Sequence, residues 1–157
     1  MSRLFRAGVL LTLLGLLPAV TIPVRAQMGP PMPADTSAFR GNLFELAQKQ
    51  PLEYDQQISS LPLGGSSSSS ASLIQVRQAV KSHYHAEHDE MVYVLSGRGI
   101  MTVGNETRPI QAGDFIIIKR GTVHNVQNRS PQILVALSVM SPPFKGKDRV
   151  YVESTDE

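Results

Sequence analysis

His83, His85, Glu90 and His124 stand in an order and spacing that suit the capture of a divalent cation. The chain has 4 histidines, and all of them fall between positions 83 and 124. The first run reads His83-Tyr84-His85-Ala86-Glu87-His88-Asp89-Glu90, and His124 follows much later, behind Gly121. Two histidines one residue apart project to the same side of an extended strand, because side chains alternate with period two. A helical metal site would want them four apart instead. Three imidazole nitrogens and one carboxylate oxygen form a donor set for a single Zn, Mn, Fe, Ni or Cu ion. Four protein ligands leave one or two positions of such an ion open to water, O₂ or a substrate.

These residues need strands to hold them, and the surrounding texture supplies strands. After Ala71 the chain reads as short runs punctuated by turns: 73–80, 91–95, 99–103, 107–111, 115–118, 123–127 and 132–140. Gly104-Asn105 accepts positive φ and predicts a hairpin between the third and fourth runs. The run 115–118 (Phe-Ile-Ile-Ile) reads as a buried apolar strand, and Val92, Val94, Met101, Phe115, Ile118 and Met140 as core. Many short strands without a convincing helix among them predict a small all-β sandwich or barrel. Glu90 opens the strand after His85, so three ligands can converge from one hairpin, while His124 arrives from a distant strand. By strict alternation from His83, Lys81, Ala79 and Arg77 point inward and could meet an anionic substrate, unless a bulge reverses the parity. Asn128 shares parity with His124 and suits a supporting or capping hydrogen bond. His88 falls out of parity in a loop and is expected to face solvent, with Glu87 and Asp89 as solvated loop acids.

The stretch 83–128 resembles the cupin family. Its first motif is written Gly, five residues, His-x-His, three or four residues, Glu, six residues, Gly. His83, His85, Glu90 and Gly97 match this pattern, and Arg77 stands where the opening Gly is expected. In the second motif (Gly, five residues, Pro-x-Gly, two residues, His, three residues, Asn), Gly113, Gly121, His124 and Asn128 match, and Lys119 takes the Pro position. The resemblance covers roughly residues 71–141 and implies a jelly-roll β-barrel with His83, His85, Glu90 and His124 as metal ligands. It further implies metal-dependent chemistry on a small molecule, of the kind dioxygenases, oxalate-handling enzymes, isomerases and lyases perform, without selecting the reaction. A non-catalytic cupin that binds a metal or small ligand is the alternative. Barrels of this family often pair, which allows a homodimer.

The N-terminus reads differently. Arg3 and Arg6 precede the apolar run 7–17, Pro18 interrupts it, and Val24-Arg25-Ala26 offers a signal-peptidase site. Residues 1–26 therefore read as a signal peptide cleaved after Ala26, which predicts a periplasmic or secreted protein. The apolar run is shorter than the roughly 20 residues of a spanning helix, so no stable membrane insertion is expected after cleavage. Cleavage removes three arginines and no acids, so the 15 basic residues fall to 12 against 13 acidic ones. The mature chain keeps no basic stripe, and nucleic acid is not an expected partner. Residues 27–41 read as a Pro-rich flexible lead-in and 42–157 as the cupin domain. Within that domain, 42–50 suits a short helix capped by Asn42 and stopped by Pro51, and 64–70 (Gly-Gly and five serines) a solvated loop. With 0 cysteines there is no disulfide framework and no N-terminal Cys for a lipid anchor.

Overall fold

The computed structural model describes residues 39–152. The expected signal peptide and most of the lead-in lie outside the described residues. One helix, α1 (Leu43–Lys49), opens the described chain. The Asn42 side chain accepts the Phe44 and Glu45 backbone N–H groups at 2.8 and 3.2 Å, satisfying donors that a first turn leaves without partners. Ten strands follow: β1 (Ile58–Gly65), β2 (Ser70–Val76), β3 (Ala79–His85), β4 (Asp89–Ser96), β5 (Arg98–Val103), β6 (Glu106–Gln111), β7 (Phe115–Ile118), β8 (His124–Asn128), β9 (Leu134–Ser141) and β10 (Arg149–Tyr151).

They form two five-stranded antiparallel sheets, ordered β1-β2-β9-β4-β7 and β10-β3-β8-β5-β6. This is the all-β jelly roll that the short, evenly spaced strands predict. The inward faces meet in a core of Val76, Val94, Met101, Ile110, Ile118, Val126 and Leu134. The β5–β6 hairpin turns at Gly104-Asn105 with Gly104 at φ 59°, as expected.

Four local expectations are corrected. The run 73–80 is not one strand, because the chain leaves the first sheet at Arg77 and enters the second at Ala79. Arg77 explains the break. Its guanidinium donates to the carbonyls of Leu52, Glu53 and Gln56, and Asn128 Nδ2 donates to the carbonyls of Val76 and Arg77. Both residues therefore hold the crossover and do not face the ligands. Next, the β3–β8 register shifts between Val80 and His83. That bulge puts Val80 against the core and leaves Lys81 exposed, so the inward parity of Lys81 fails.

The serine-rich stretch is a solvated connector as expected, narrowed to the turn at 66–69 of a β1–β2 hairpin and closed by Ser66 N–H to the Ser69 carbonyl at 2.7 Å. β1 itself is unexpected from sequence, since Pro62 and Gly64-Gly65 obscure the alternation. An edge position and a register shift between Pro62 and Gly64 accommodate them. Finally, β7 is an edge strand with only one face covered. Phe115 is 59% and Ile117 55% exposed, so Phe115 is not core, whereas Ile118 is.

Candidate metal centre

β3 and β8 run antiparallel with His83 directly opposite His124. The bulge at 81–82 restores inward parity just before the ligands, and alternation then carries both His83 and His85 to the inner face. Their rings gather tightly: the centroids of His83 and His124 are 4.2 Å apart, His83 and His85 5.1 Å, and His85 and His124 5.5 Å. One nitrogen from each of the three lies within 4.8 Å of the others, a separation that one ion can span. All three side chains are buried.

Glu90 approaches from the opposite sheet. β3 and β4 do not pair, because residues 86–88 cross from one sheet to the other, so the expected single hairpin of ligands does not form. Glu90 instead faces the histidines across the sandwich, with Oε2 at 3.3 Å from His124 Nε2 and 3.7 Å from His85 Nε2. Its other oxygen, Oε1, accepts the Ser138 hydroxyl at 2.5 Å. The three-histidine cluster is tight, and the carboxylate stands beside two of its members.

Hydrogen bonding sets which nitrogens are free. His83 Nδ1 donates to the Lys81 carbonyl at 2.8 Å and His124 Nδ1 to the Thr122 carbonyl at 3.0 Å. Each bond fixes a tautomer with its lone pair on Nε2. His124 Nε2 and both ring nitrogens of His85 are buried without a hydrogen-bond partner among the described residues. Buried polar atoms are rarely left so.

The electrostatics agree with this donor set. Burial is the main force lowering the His83 pKa to about 4, reinforced by His124, Arg149 and His85 against the Lys81 carbonyl. Burial likewise lowers His85 and outweighs the opposing pull of Glu90. Burial favours the neutral form of Glu90, but its contacts with His124 and Ser138 hold the carboxyl below its usual range. Near neutral pH His83 and His85 therefore stand as free-base imidazoles beside an ionised Glu90, the protonation states a divalent ion requires. The residues fit a metal.

The glycines and acids around the second motif support the geometry. Gly121 sits at φ 75°, where a side chain would be strained, and its N–H donates to the His85 carbonyl at 2.7 Å. Asp89 is not a free loop acid: it accepts the Arg120 backbone N–H at 2.9 Å and lies 3.8 Å from Lys119 Nζ. The Lys119-Arg120 turn is thus pinned from β4, without the proline that the motif expects there. Asn128 makes the capping bonds its parity suggested, accepting Ser130 N–H at 2.8 Å and donating to the Gln132 carbonyl at 2.7 Å.

A second group of residues was not legible as functional. After β9 the chain returns over the site, and Phe144, Asp148, Arg149 and Tyr151 come against the histidines. Asp148 is buried and accepts the Ala86 and Glu87 N–H groups at 2.9 and 3.1 Å. It also takes a short hydrogen bond from His88 Nδ1, and its Oδ2 lies 3.8 Å from His85 Nδ1. His88 is consequently buried, 5% exposed, rather than facing solvent. The Phe144 ring stands edge-on to His85 and His88 with centroids 5.9 and 5.5 Å away. No local signal marks them, since β10 spans only three residues.

Asp148 belongs to the site through its hold on the 86–88 crossover, which links His85 to Glu90. Asp148→Asn should weaken Zn²⁺ binding about 10- to 100-fold, the range for residues that orient metal ligands. Competition against a chromophoric chelator measures this, and unchanged affinity would make Asp148 a purely structural latch.

A jelly roll with three inward histidines from two neighbouring strands defines the class of double-stranded β-helix proteins with a candidate metal centre. A cupin-domain family model matches residues 72–140. A protein of uncharacterised function from Aquifex aeolicus is 35% identical over 98 residues, 62% of this chain and 80% of its own. The L-ectoine synthase of Vibrio cholerae is 36% identical over 70 residues, and the match spans 43% of this chain and 50% of that enzyme. In a crystal structure of a Klebsiella pneumoniae protein with a double-stranded β-helix domain, the fold agrees with a TM-score of 0.59, covering 68% of this chain and 94% of that one at 21% identity. This chain belongs to the cupin family.

Proposed function

We propose that this protein is an exported mononuclear-metal cupin enzyme acting on a small molecule, with His83, His85, Glu90 and His124 as the ligands. The observation that carries the reading is the set of buried, unpartnered imidazole nitrogens on His85 and His124, directed at a cluster with His83. A bound divalent ion would satisfy those atoms and would act as a Lewis acid toward an oxygen or nitrogen of the substrate.

The protein's own contribution is a dry, shaped wall. A cavity of about 90 Å³ borders His83, Glu90 and His124 and is otherwise lined mainly by Ile, Val, Leu and Met side chains of both sheets, Val92, Val94, Met101 and Met140 among them. Those four are therefore pocket wall as well as core. Apolar walls exclude water and strengthen every charge interaction inside. Local similarity to L-ectoine synthase supports an enzymatic reading, and a metal held by His83, His85, Glu90 and His124 would supply the chemistry of an oxygenase-like or other metal-dependent reaction.

One observation favours the alternative, a cupin that binds without catalysis. Apart from the proposed ligands, the polar residues lining the cavity are serines, Asn125 and Arg149, none of which is an evident general base near neutral pH. Elemental analysis, followed by O₂ uptake and product formation against catechols, oxalate, thiols and keto acids, separates the two. Turnover that disappears in a folded His124→Ala variant supports the enzyme. A fully metallated protein inert to the whole panel supports binding, and a protein that takes up no metal overturns both.

A further inference from the structure

We infer that the ligand of this cavity is a short-chain aliphatic carboxylate and that Arg149 selects it. The inference rests on the metal-site reading above and adds the chemistry of what that site accepts. The selecting element lies outside the cupin match, which ends at residue 140. β10 pairs with β3 in a register that sets Arg149 opposite His85 and Tyr151 opposite His83. Residues directly opposite in an antiparallel pair rise from the same face of the sheet. Arg149 therefore shares the inward face of the two histidines, and it lines the cavity together with His83 and Glu90. Its guanidinium makes no hydrogen bond or ion pair with any other described residue. Asp148, adjacent in sequence, is turned onto the Ala86 and Glu87 N–H groups and His88 and does not neutralise it.

Charge and size then narrow the ligand. A divalent ion held by Glu90, with a free guanidinium at the rim, would leave positive charge facing the cavity, since Asp148, the other carboxylate near the cluster, is engaged by His88 and the Ala86 and Glu87 N–H groups and does not line the cavity. A planar carboxylate suits a guanidinium fork and a metal at once. The rest of the ligand must be apolar, since the walls beyond the rim are. A cavity of about 150 Å³ admits benzene, so the 90 Å³ here holds a branch of about four carbons.

Isovalerate and its uncharged counterpart isovaleramide are the probes, titrated calorimetrically into full-length protein, metal-free and Co²⁺-loaded. Wild-type protein should bind isovalerate about tenfold or more tightly over the amide, the usual worth of a charge-assisted hydrogen bond. Arg149→Gln should erase that preference and leave isovaleramide unaffected, while Arg149→Lys retains part of it. Equal binding of the two probes, an unaltered preference in Arg149→Gln, or inorganic phosphate binding as tightly as isovalerate would each overturn the inference. Co²⁺ stoichiometry is read separately. Absent Co²⁺ uptake with an Arg149-dependent preference in the metal-free protein removes the metal reading and keeps the carboxylate, and Co²⁺ uptake without that preference does the reverse.

Discussion

His85→Leu is expected to abolish metal binding and at the same time to stabilise the metal-free protein. The His85 ring is 2% exposed, and neither of its nitrogens has a hydrogen-bond partner. Each buried, unsatisfied polar group costs about 1–3 kcal/mol, and exchanging it for an apolar group of similar volume removes that cost. After allowance for imperfect packing, a net gain of about 1–2 kcal/mol follows, or about 3–8 °C in Tm for a domain of this size. Metal affinity should fall by more than the roughly 100-fold upper range for a residue that only orients a ligand, because a direct donor is lost. Thermal unfolding with and without EDTA, alongside a Zn²⁺ titration, tests both halves. If the leucine variant is instead destabilised by several kcal/mol without metal, His85 is a packing residue and the metal reading loses its main support. His85→Ala serves as the contrast, since its cavity should cost stability that leucine does not.

The opposite signs expected for stability and binding explain why the ligand set was so legible in sequence. Three imidazoles in an apolar interior contradict ordinary burial, so their spacing stands out against a strand pattern that needs none of them. The motif glycines were legible for a related reason: Gly97 and Gly121 occupy positive φ, at 88° and 75°, which side chains avoid. What failed was anything decided by a distant element. The fate of Lys81 depends on one bulge that shifts parity between Val80 and His83, and period-two reasoning has no means of locating it. His88 reads as a loop residue because nothing nearby in sequence covers it, and its partner Asp148 is 60 residues away. β10, the strand carrying Arg149, is too short for periodicity and follows a Ser-Pro-Pro break. Phe115 was misread for the converse reason. An apolar run of four satisfies the pattern of a strand buried on both faces, yet β7 lies at a sheet edge. Local pattern thus placed the ligands, while the wall and rim of the pocket depend on long-range pairing.

The same burial that keeps His83 and His85 neutral sets a pH window for stability. For a histidine whose native pKa is lowered, the unfolded chain gains its proton first as pH falls. His83 titrates near 6.5 when unfolded and near 4 in the native protein. Its destabilising effect is therefore absent above about pH 6.5, grows as pH drops toward 4, and amounts to about 3 kcal/mol at the lower end. His85 shifts in the same direction and adds to the loss. Glu90 and Asp148 are carboxylates held below their usual range, so their contributions are intact above about 4.5 and vanish only as pH falls through their lowered native values. Metal-free protein should consequently lose Tm in two stages, the first between pH 6.5 and 4 and the second below it. Bound metal should raise Tm throughout the upper range, and its release should come at a pH below that of free imidazole, because protons compete poorly for a buried ring. Thermal scans from pH 8 to 3.5 on wild type and His83→Gln, each with EDTA and with Zn²⁺, resolve these stages. The glutamine variant should show a shallower first stage, since it lacks one of the groups that titrates there. A wild-type Tm that stays flat from pH 6.5 to 4.5 without metal would mean that the histidines reach solvent and protonate freely, which the buried cluster described above does not permit.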